Sequence, residues 1–316
     1  MADLEIKKNI SLKDYTTFRI GGKAKYFTEV LTLKQLKSAL GWAKSKNLPF
    51  FILGNGSNVL FKDEGFNGLI IKIQNNKIKE KKNSIIIGAG YLLADLVQYV
   101  IRKGIKNYEW LNGIPGTIGG AVYGNAGAFG FEMKDLILKV KTIDSNNFRL
   151  KVYSNKDCKF DYRSSIFKNK KEIIWEVELK KKKGNKEEIK KKSLEYLKTK
   201  IEKKMFSYPS AGSIFKNVLI LKTIYKNYFD PKKEEVFIQG EKVRTLQGKV
   251  SAGWFIEKCG LKGKAKGGAK IADFHANVII NFKKAKAIDV LYLINLIQKK
   301  VFEKFRIKLE TEIVIS

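Results

Sequence analysis

Glycine is the residue whose spacing first suggests chemistry in this chain. The stretch GIPGTIGGAVYGNAGAFG, residues 113–130, sets glycines among Ile, Val and Tyr, not among the serines and charges of a flexible linker. A rigid loop of this make-up turns tightly and leaves backbone N–H groups pointing outward, which suits it to cradle a pyrophosphate. A tight corner between two strands is the other reading of the same residues. Two shorter pieces, GNGSNV at 54–59 and GAGYLL at 88–93, begin G-x-G but lack the third glycine of the dinucleotide fingerprint. No G-x-x-x-x-G-K-[ST] loop occurs, so each of these pieces, taken alone, reads as an ordinary turn.

The rarer reactive residues exclude whole mechanisms. His275 is the only histidine, which removes HExxH and multi-histidine metal sites; no metal is expected. Cys158 and Cys259 are too few for a disulfide framework or a zinc cluster and read as two reduced thiols. The formal charge of +32 invites a nucleic-acid reading, but the excess is nearly all lysine spread along the chain, as in Lys180–Lys183 and Lys190–Lys192. No helix-turn-helix, zinc module or RNP-type strand aims it, so it reads as solvated surface, part of which can attract phosphorylated ligands. The N-terminus, MADLEIKKNI, has no apolar signal region, and no apolar run approaches the roughly 18 residues of a membrane span.

The elements that must position these loops are legible from periodicity. With 316 residues, two or three domains are expected. The segment LTLKQLKSALGWAKSKNLPF carries a helical stripe of Leu33, Leu36, Leu40 and Ala43, and the strand FFIL follows. GLIIKI and SIIIGAG read as strands. YLLADLVQYVIRKG reads as a helix with Gly104 as its C-terminal cap. Strands alternate with turns as far as a lysine-rich helix near 185–204, expected to be a solvated connector between domains. Mixed strand and helix run from about 205 to 283, then a long amphipathic helix, AIDVLYLINLIQKKVFEKF, leads into a last strand, IKLETEIVI. In that strand Ile307, Leu309, Thr311, Ile313 and Ile315 share one face, so Glu310 and Glu312 both leave it on the other, and periodicity does not choose between them.

Six pieces occur in a fixed order: TTFRIGG (16–22), GNGSNVL, GIPGTIGGAVYGNAGAFG, YRSS (162–165), YPSAGSIFKN (208–217) and AGWFIEKCGLKGKAKGGA (252–269). In this combination the chain closely resembles the UDP-N-acetylenolpyruvoylglucosamine reductases, the MurB family, over essentially its full length. The resemblance implies an α+β chain: a vanillyl-alcohol-oxidase/PCMH-type FAD-binding fold with a separate α/β substrate-binding domain. Residues 1–80 would form one FAD-binding subdomain, joined by the C-terminal strand 306–316, residues 81–200 a second, and residues 201–305 the substrate-binding domain. The implied activity is the NADPH-dependent reduction of UDP-N-acetylglucosamine enolpyruvate to UDP-N-acetylmuramate through FAD, in peptidoglycan synthesis. The implied setting is a cytoplasmic monomer with no nucleic-acid partner and no membrane insertion.

The same resemblance implies residue roles. Thr17 and Arg19, then Gly54, Asn55, Gly56, Ser57 and Asn58, would hold FAD. So would Gly113, Ile114, Pro115, Gly116, Gly119, Gly120, Asn125, Ala126 and Gly127. Arg163 would contact the substrate carboxylate, Ser213 would donate a proton, and Glu312 would complete the catalytic set. Tyr162, Lys203, Asn217 and His275 would face the substrate, and Asn277 is a further candidate, with a purely structural His275 as the alternative. The short interval from Arg163 to Ser213 resembles the form of the family without the tyrosine-bearing loop. A flavin oxidase of the same fold is the competing enzyme reading, and a nucleic-acid binder the competing non-enzyme one.

Overall fold

The computed structural model describes residues 4–219 and 235–316, which fall into two units. The first comprises residues up to Tyr15, Gly22–Ser57 and Glu64–Glu202; the second comprises Thr16–Gly21, Asn58–Asp63 and Lys203–Ser316.

The first unit contains two sheets. In one, β1 (Lys7–Ser11), β2 (Lys23–Val30), β3 (Phe50–Leu53) and β5 (Phe66–Ile73) take the order β1-β2-β5-β3. The β2–β5 and β3–β5 pairs are parallel, so a crossover is needed, and α1 (Leu33–Ser45) supplies it. Thr32 and Gln35 form a capping box that fixes its start, and Leu36, Ala39, Leu40 and Ala43 form its buried stripe. The second sheet is antiparallel, built from β6 (Ile78–Glu80), β7 (Ser84–Gly88), β10 (Ile137–Asp144), β11 (Leu150–Ser154) and β12 (Glu172–Lys180), in the order β11-β10-β12-β7-β6. The helix α2 (Leu93–Lys103) stops at Gly104, which takes the left-handed φ of 66° that closes a helix cheaply only for glycine. One apolar core serves both sheets, from Val30 and Leu36 through Trp110 to Leu179.

Two expectations about this unit change. The stretch 113–130 is neither one open loop nor a corner between two strands. It holds a short helix, α3 (Ile118–Tyr123), capped by Thr117, and the first strand of a hairpin in which β8 (Gly127–Ala128) pairs with β9 (Phe131–Glu132) just beyond the stretch. The lysine-rich helix α4 (Lys186–Glu202) is not a solvated connector, because Ile189 and Ser193 on one of its faces are buried within the unit. Two small or branched positions among lysines make too faint a stripe to read as a packed face from sequence.

The second unit centres on an antiparallel sheet of β13 (Ser210–Ser213), β18 (Ala265–Lys266), β19 (Ala269–Ile271) and β20 (Val278–Asn281), ordered β13-β20-β19-β18. The short pairs β14 (Val218–Leu219) with β17 (Lys249–Val250) and β15 (Glu235–Ile238) with β16 (Glu241–Arg244) belong to the same unit, and the helices α5 (Ala252–Lys258) and α6 (Ala287–Phe305) complete its core. Asp63 receives the Ala287 and Ile288 N–H groups at 2.8 and 3.0 Å, satisfying two of the open donors at the start of α6. The expected last strand keeps its alternating burial over residues 307–310, but only Val314–Ile315 form a strand, β21, parallel to β4 (Val59–Leu60). Upstream, residues 310–312 pair with 214–216 instead, so one extended segment serves two partners in turn. Part of the region expected to mix strand and helix, residues 220–234, lies outside the described residues. No helix among the described residues is long and apolar enough to cross a membrane.

Candidate active site

In the first unit, residues 54–57 are pinned against residues 113–117. Ser57 Oγ donates to the Pro115 carbonyl at 3.0 Å, and a Cβ on Gly54 would lie 2.6 Å from Thr117 Oγ1. Gly116 has φ 138°, and a Cβ there would meet Ser57 Oγ at 3.2 Å; both the turn and the close approach therefore require glycine. Among the described residues the N–H groups of Asn55, Gly56, Ser57, Gly113, Gly116 and Thr117 donate no hydrogen bond. Gly56 and Thr117 are buried, and a buried unpaired N–H calls for an acceptor from outside the chain. Such a cluster of uncommitted donors on glycine turns fits the anionic oxygens of a pyrophosphate.

Not every glycine in these motifs serves that cluster. A Cβ on Gly90 would lie 2.6 Å from the Ile73 carbonyl, and one on Gly119 would lie 2.9 Å from Ala89 Cβ. The Gly119 N–H donates to the Ala89 carbonyl at 2.8 Å, so GAG at 88–90 is the surface on which α3 docks. Asn125 is fully buried and its amide is committed within the protein. It donates to Glu132 Oε2 and the Asp161 carbonyl at 3.1 and 2.9 Å and accepts the Lys134 N–H at 3.0 Å. Its contribution is to hold the turn that leads into Ala126 and Gly127.

Arg163 stands at the tip of a tight turn in which Asp161 and Ser164 exchange backbone hydrogen bonds. Its φ of 52° is strained for a side-chain-bearing residue, and the strain is held by its surroundings. The Arg163 guanidinium donates to the Gly127 carbonyl at 2.8 Å, the Arg163 carbonyl accepts from Lys168 Nζ at 2.8 Å, and the Arg163 charge lies 5.0 Å from the Tyr162 ring centroid. Ser165, buried, donates to the Tyr123 carbonyl at the end of α3. Arg163 is thereby tied to the same glycine segment that carries the uncommitted donors.

In the second unit the strand β13 ends on Ser213. Its register with β20 slips between Ser210 and Ser213, a bulge made possible by Gly212 at φ 73°, and the bulge re-aims the serine. The residues after it are braced by Asn277, whose side chain both accepts the Phe215 N–H at 2.9 Å and donates to the Phe215 carbonyl at 2.8 Å. The Glu312 N–H donates to the Ile214 carbonyl at 2.7 Å, and the Glu312 carbonyl accepts from Asn58 Nδ2 at 3.1 Å. Glu312 is therefore set beside Ser213 and is partly buried. Glu310 is exposed and ion-paired with Lys216 at 3.0 Å. This distinguishes the two glutamates that periodicity left equivalent.

The remaining sequence-derived residues of this unit also find places. Thr17 donates its hydroxyl to the Ser210 carbonyl at 2.8 Å, and Arg19, at φ 54°, closes the turn that Asn281 holds through the Phe18 and Arg19 carbonyls. Asn217 Oδ1 accepts the Ala252 N–H at 3.2 Å. His275 Nδ1 accepts the Asn277 N–H at 3.2 Å, and burial, with Lys203 as a nearby positive charge, holds its pKa below the usual histidine value. Asn277, an open candidate for ligand contact in the sequence, is instead an internal brace. Lys168, Ser193 and Lys200, which tie the loops together, carry no pattern that singles them out among so many lysines. No group of three or more His, Cys, Asp or Glu among the described residues is placed to hold a metal.

Residues 24–149 match the family model of an FAD binding domain, and residues 203–316 match the C-terminal domain of UDP-N-acetylenolpyruvoylglucosamine reductase. Curated relatives named UDP-N-acetylenolpyruvoylglucosamine reductase include one from Alkaliphilus oremlandii, 35% identical over 96% of this chain and 90% of the relative. Another, from Caldicellulosiruptor bescii, is 38% identical over 98% of this chain and 90% of the relative. The crystal structure of UDP-N-acetylenolpyruvylglucosamine reductase from Thermus caldophilus is similar with a TM-score of 0.76 and 33% identity, covering 99% of this chain and 98% of that one.

Proposed function

Because the chain belongs to the UDP-N-acetylenolpyruvoylglucosamine reductase family, we propose that it reduces UDP-N-acetylglucosamine enolpyruvate to UDP-N-acetylmuramate with Arg163, Ser213 and Glu312 as its working groups. It is an FAD-dependent oxidoreductase that takes its electrons from NADPH and acts in peptidoglycan synthesis. The observation that carries this reading is the cluster of uncommitted N–H groups on residues 55–57, 113, 116 and 117, joined through Gly127 to Arg163.

The N–H groups of Gly56, Ser57, Gly113, Gly116 and Thr117 would receive the pyrophosphate of FAD; Thr17, Arg19 and Asn58 are further residues proposed to hold FAD. When bound, FAD would supply the hydride-transfer chemistry that links NADPH to the enolpyruvyl double bond. Arg163 binds the substrate carboxylate and stabilises the negative charge that develops on it, because a fixed cation needs no reorganisation when that charge appears. Its strained, anchored backbone keeps the guanidinium from following solvent. Ser213 holds the proton destined for the carbon beside the carboxylate, and a hydroxyl is acidic enough for that task only towards a strong carbon base in tight geometry. Glu312, on the segment bonded to Ile214, orients that hydroxyl. Tyr162, Lys203, Asn217 and His275 bind the remainder of the substrate. The enzyme works as a cytoplasmic monomer, with its lysine surface serving solubility and the attraction of phosphorylated ligands, not nucleic acid.

Anaerobic titration of the purified protein tests this. NADPH should bleach the flavin spectrum, and UDP-N-acetylglucosamine enolpyruvate should restore it. Restoration by oxygen alone would replace the reading with a flavin oxidase, and a protein that takes up no FAD would remove it. Ser213→Ala should leave bleaching by NADPH intact and slow restoration by substrate by about two orders of magnitude or more. Loss of bleaching itself would assign Ser213 elsewhere.

A further inference from the structure

We propose that helix α4 is a clamp on the cofactor segment and that Lys200 is its positioning residue, a reading that rests on FAD as the ligand of residues 113–127. Ser193, Tyr196 and Lys200 lie at i, i+3 and i+7 and so share one face of the helix. Each of the three holds one end of the glycine segment. Asn112, the residue just before Gly113, donates its side-chain amide to the Ser193 carbonyl and hydroxyl at 3.2 and 2.9 Å. Lys200 Nζ donates to the carbonyls of Asn112 and, at 3.3 Å, Trp110. At the far end of the segment, the Tyr196 ring stands 4.5 Å from that of Phe129, and the Lys200 ammonium lies 5.4 Å from the same Phe129 ring. A side chain about 90 positions away in sequence thus touches both the entrance and the exit of the segment.

An ammonium is the group that can do this. It carries three donors, so it serves two carbonyls at once and still presents charge to an aromatic face. The arrangement is not an ion pair, because among the described residues no carboxylate pairs with Lys200. Burial without a counter-charge brings its pKa down to about 8. The uncommitted N–H groups of Gly113, Gly116 and Thr117 follow directly on Asn112. Fixing Asn112 therefore fixes the directions in which those donors point, and a donor aimed in advance binds an anion without ordering cost.

The test uses full-length apoprotein freed of FAD and three variants. Lys200→Met keeps the length of the side chain without its charge, Lys200→Arg restores charge and donors, and Ile189→Ala loosens the same helix without touching Asn112 or Phe129. FAD affinity is measured by quenching of flavin fluorescence, beside the melting temperature of each apoprotein. Lys200→Met should bind FAD roughly tenfold to a hundredfold more weakly, the loss expected for a charged hydrogen bond. Lys200→Arg should recover most of that loss, and Ile189→Ala should lower the melting temperature with little change in affinity. Equal FAD affinity in wild type and Lys200→Met would overturn the clamp, as would an equal loss in Ile189→Ala. A wild-type chain that fails to bind FAD would instead overturn the functional reading on which the clamp rests.

Discussion

Replacing Asn277 by Ala should destabilise the second unit and disarm Ser213 while leaving flavin reduction in place. Asn277 is 3% exposed, and Phe215, which it braces, is 1% exposed. Alanine retains the main-chain bond from the Ile214 N–H to the residue 277 carbonyl, 2.8 Å in the native chain, and deletes both side-chain bonds. One donor and one acceptor of Phe215 are then left buried without partners, each at about 1–3 kcal/mol. Water entering the vacated space offsets part of this, so a net loss of about 3 kcal/mol is expected. Asn277→Asp sharpens the test. Its ionised carboxylate can accept the Phe215 N–H but opposes the Phe215 carbonyl, acceptor to acceptor, so this variant should regain stability as the pH falls and the acid protonates. Urea unfolding, read beside hydrogen exchange at Phe215, measures the loss. Reoxidation of reduced flavin by substrate should slow roughly tenfold to a hundredfold, because Ser213 stands two residues from the released amide. A loss below about 1 kcal/mol with unchanged exchange at Phe215 would show that the brace does not hold this segment.

Glu310→Gln should change stability by less than about 1 kcal/mol, since it removes only an exposed ion pair with Lys216, whereas Glu312→Gln should cut substrate turnover severely; the reverse order would show that the last segment has been assigned the wrong glutamate. Gly116→Ala should cost about 1–3 kcal/mol in the first unit and release FAD, because φ 138° and the approach to Ser57 Oγ both exclude a Cβ. Normal flavin content after gel filtration would contradict this. His275 has its folded pKa held below the free value of 6.5, so the unfolded chain takes up its proton first as the pH falls. Its stabilisation is complete above pH 6.5 and declines below it; the melting temperature of the wild type should fall relative to His275→Asn as the pH drops from 7 to 5. Parallel curves would mean that His275 is solvated.

The sequence by itself carried the family, the reaction and the elements whose cause is local. α1 follows from its apolar stripe and capping box, the end of α2 from Gly104, and the burial of Ile307, Leu309 and Ile313 from alternation, because side-chain direction repeats along any extended or helical backbone. The glycine motif stands out in the sequence as a candidate site because few other tasks require so many absent side chains. Choices that depend on which distant groups meet belonged to the tertiary structure. Glu310 and Glu312 are equivalent to periodicity and become different only when residues 310–312 pair with 214–216. Asn277 and Asn125 read as potential ligand contacts until the partners of their amides are seen to be Phe215, Glu132, Asp161 and Lys134. Lys200 is one lysine among many in the chain, and only the approach of α4 to the carbonyls of Trp110 and Asn112 sets it apart. A hydrogen bond between residues so far apart in sequence depends on the packing of everything between them, and no local pattern records it.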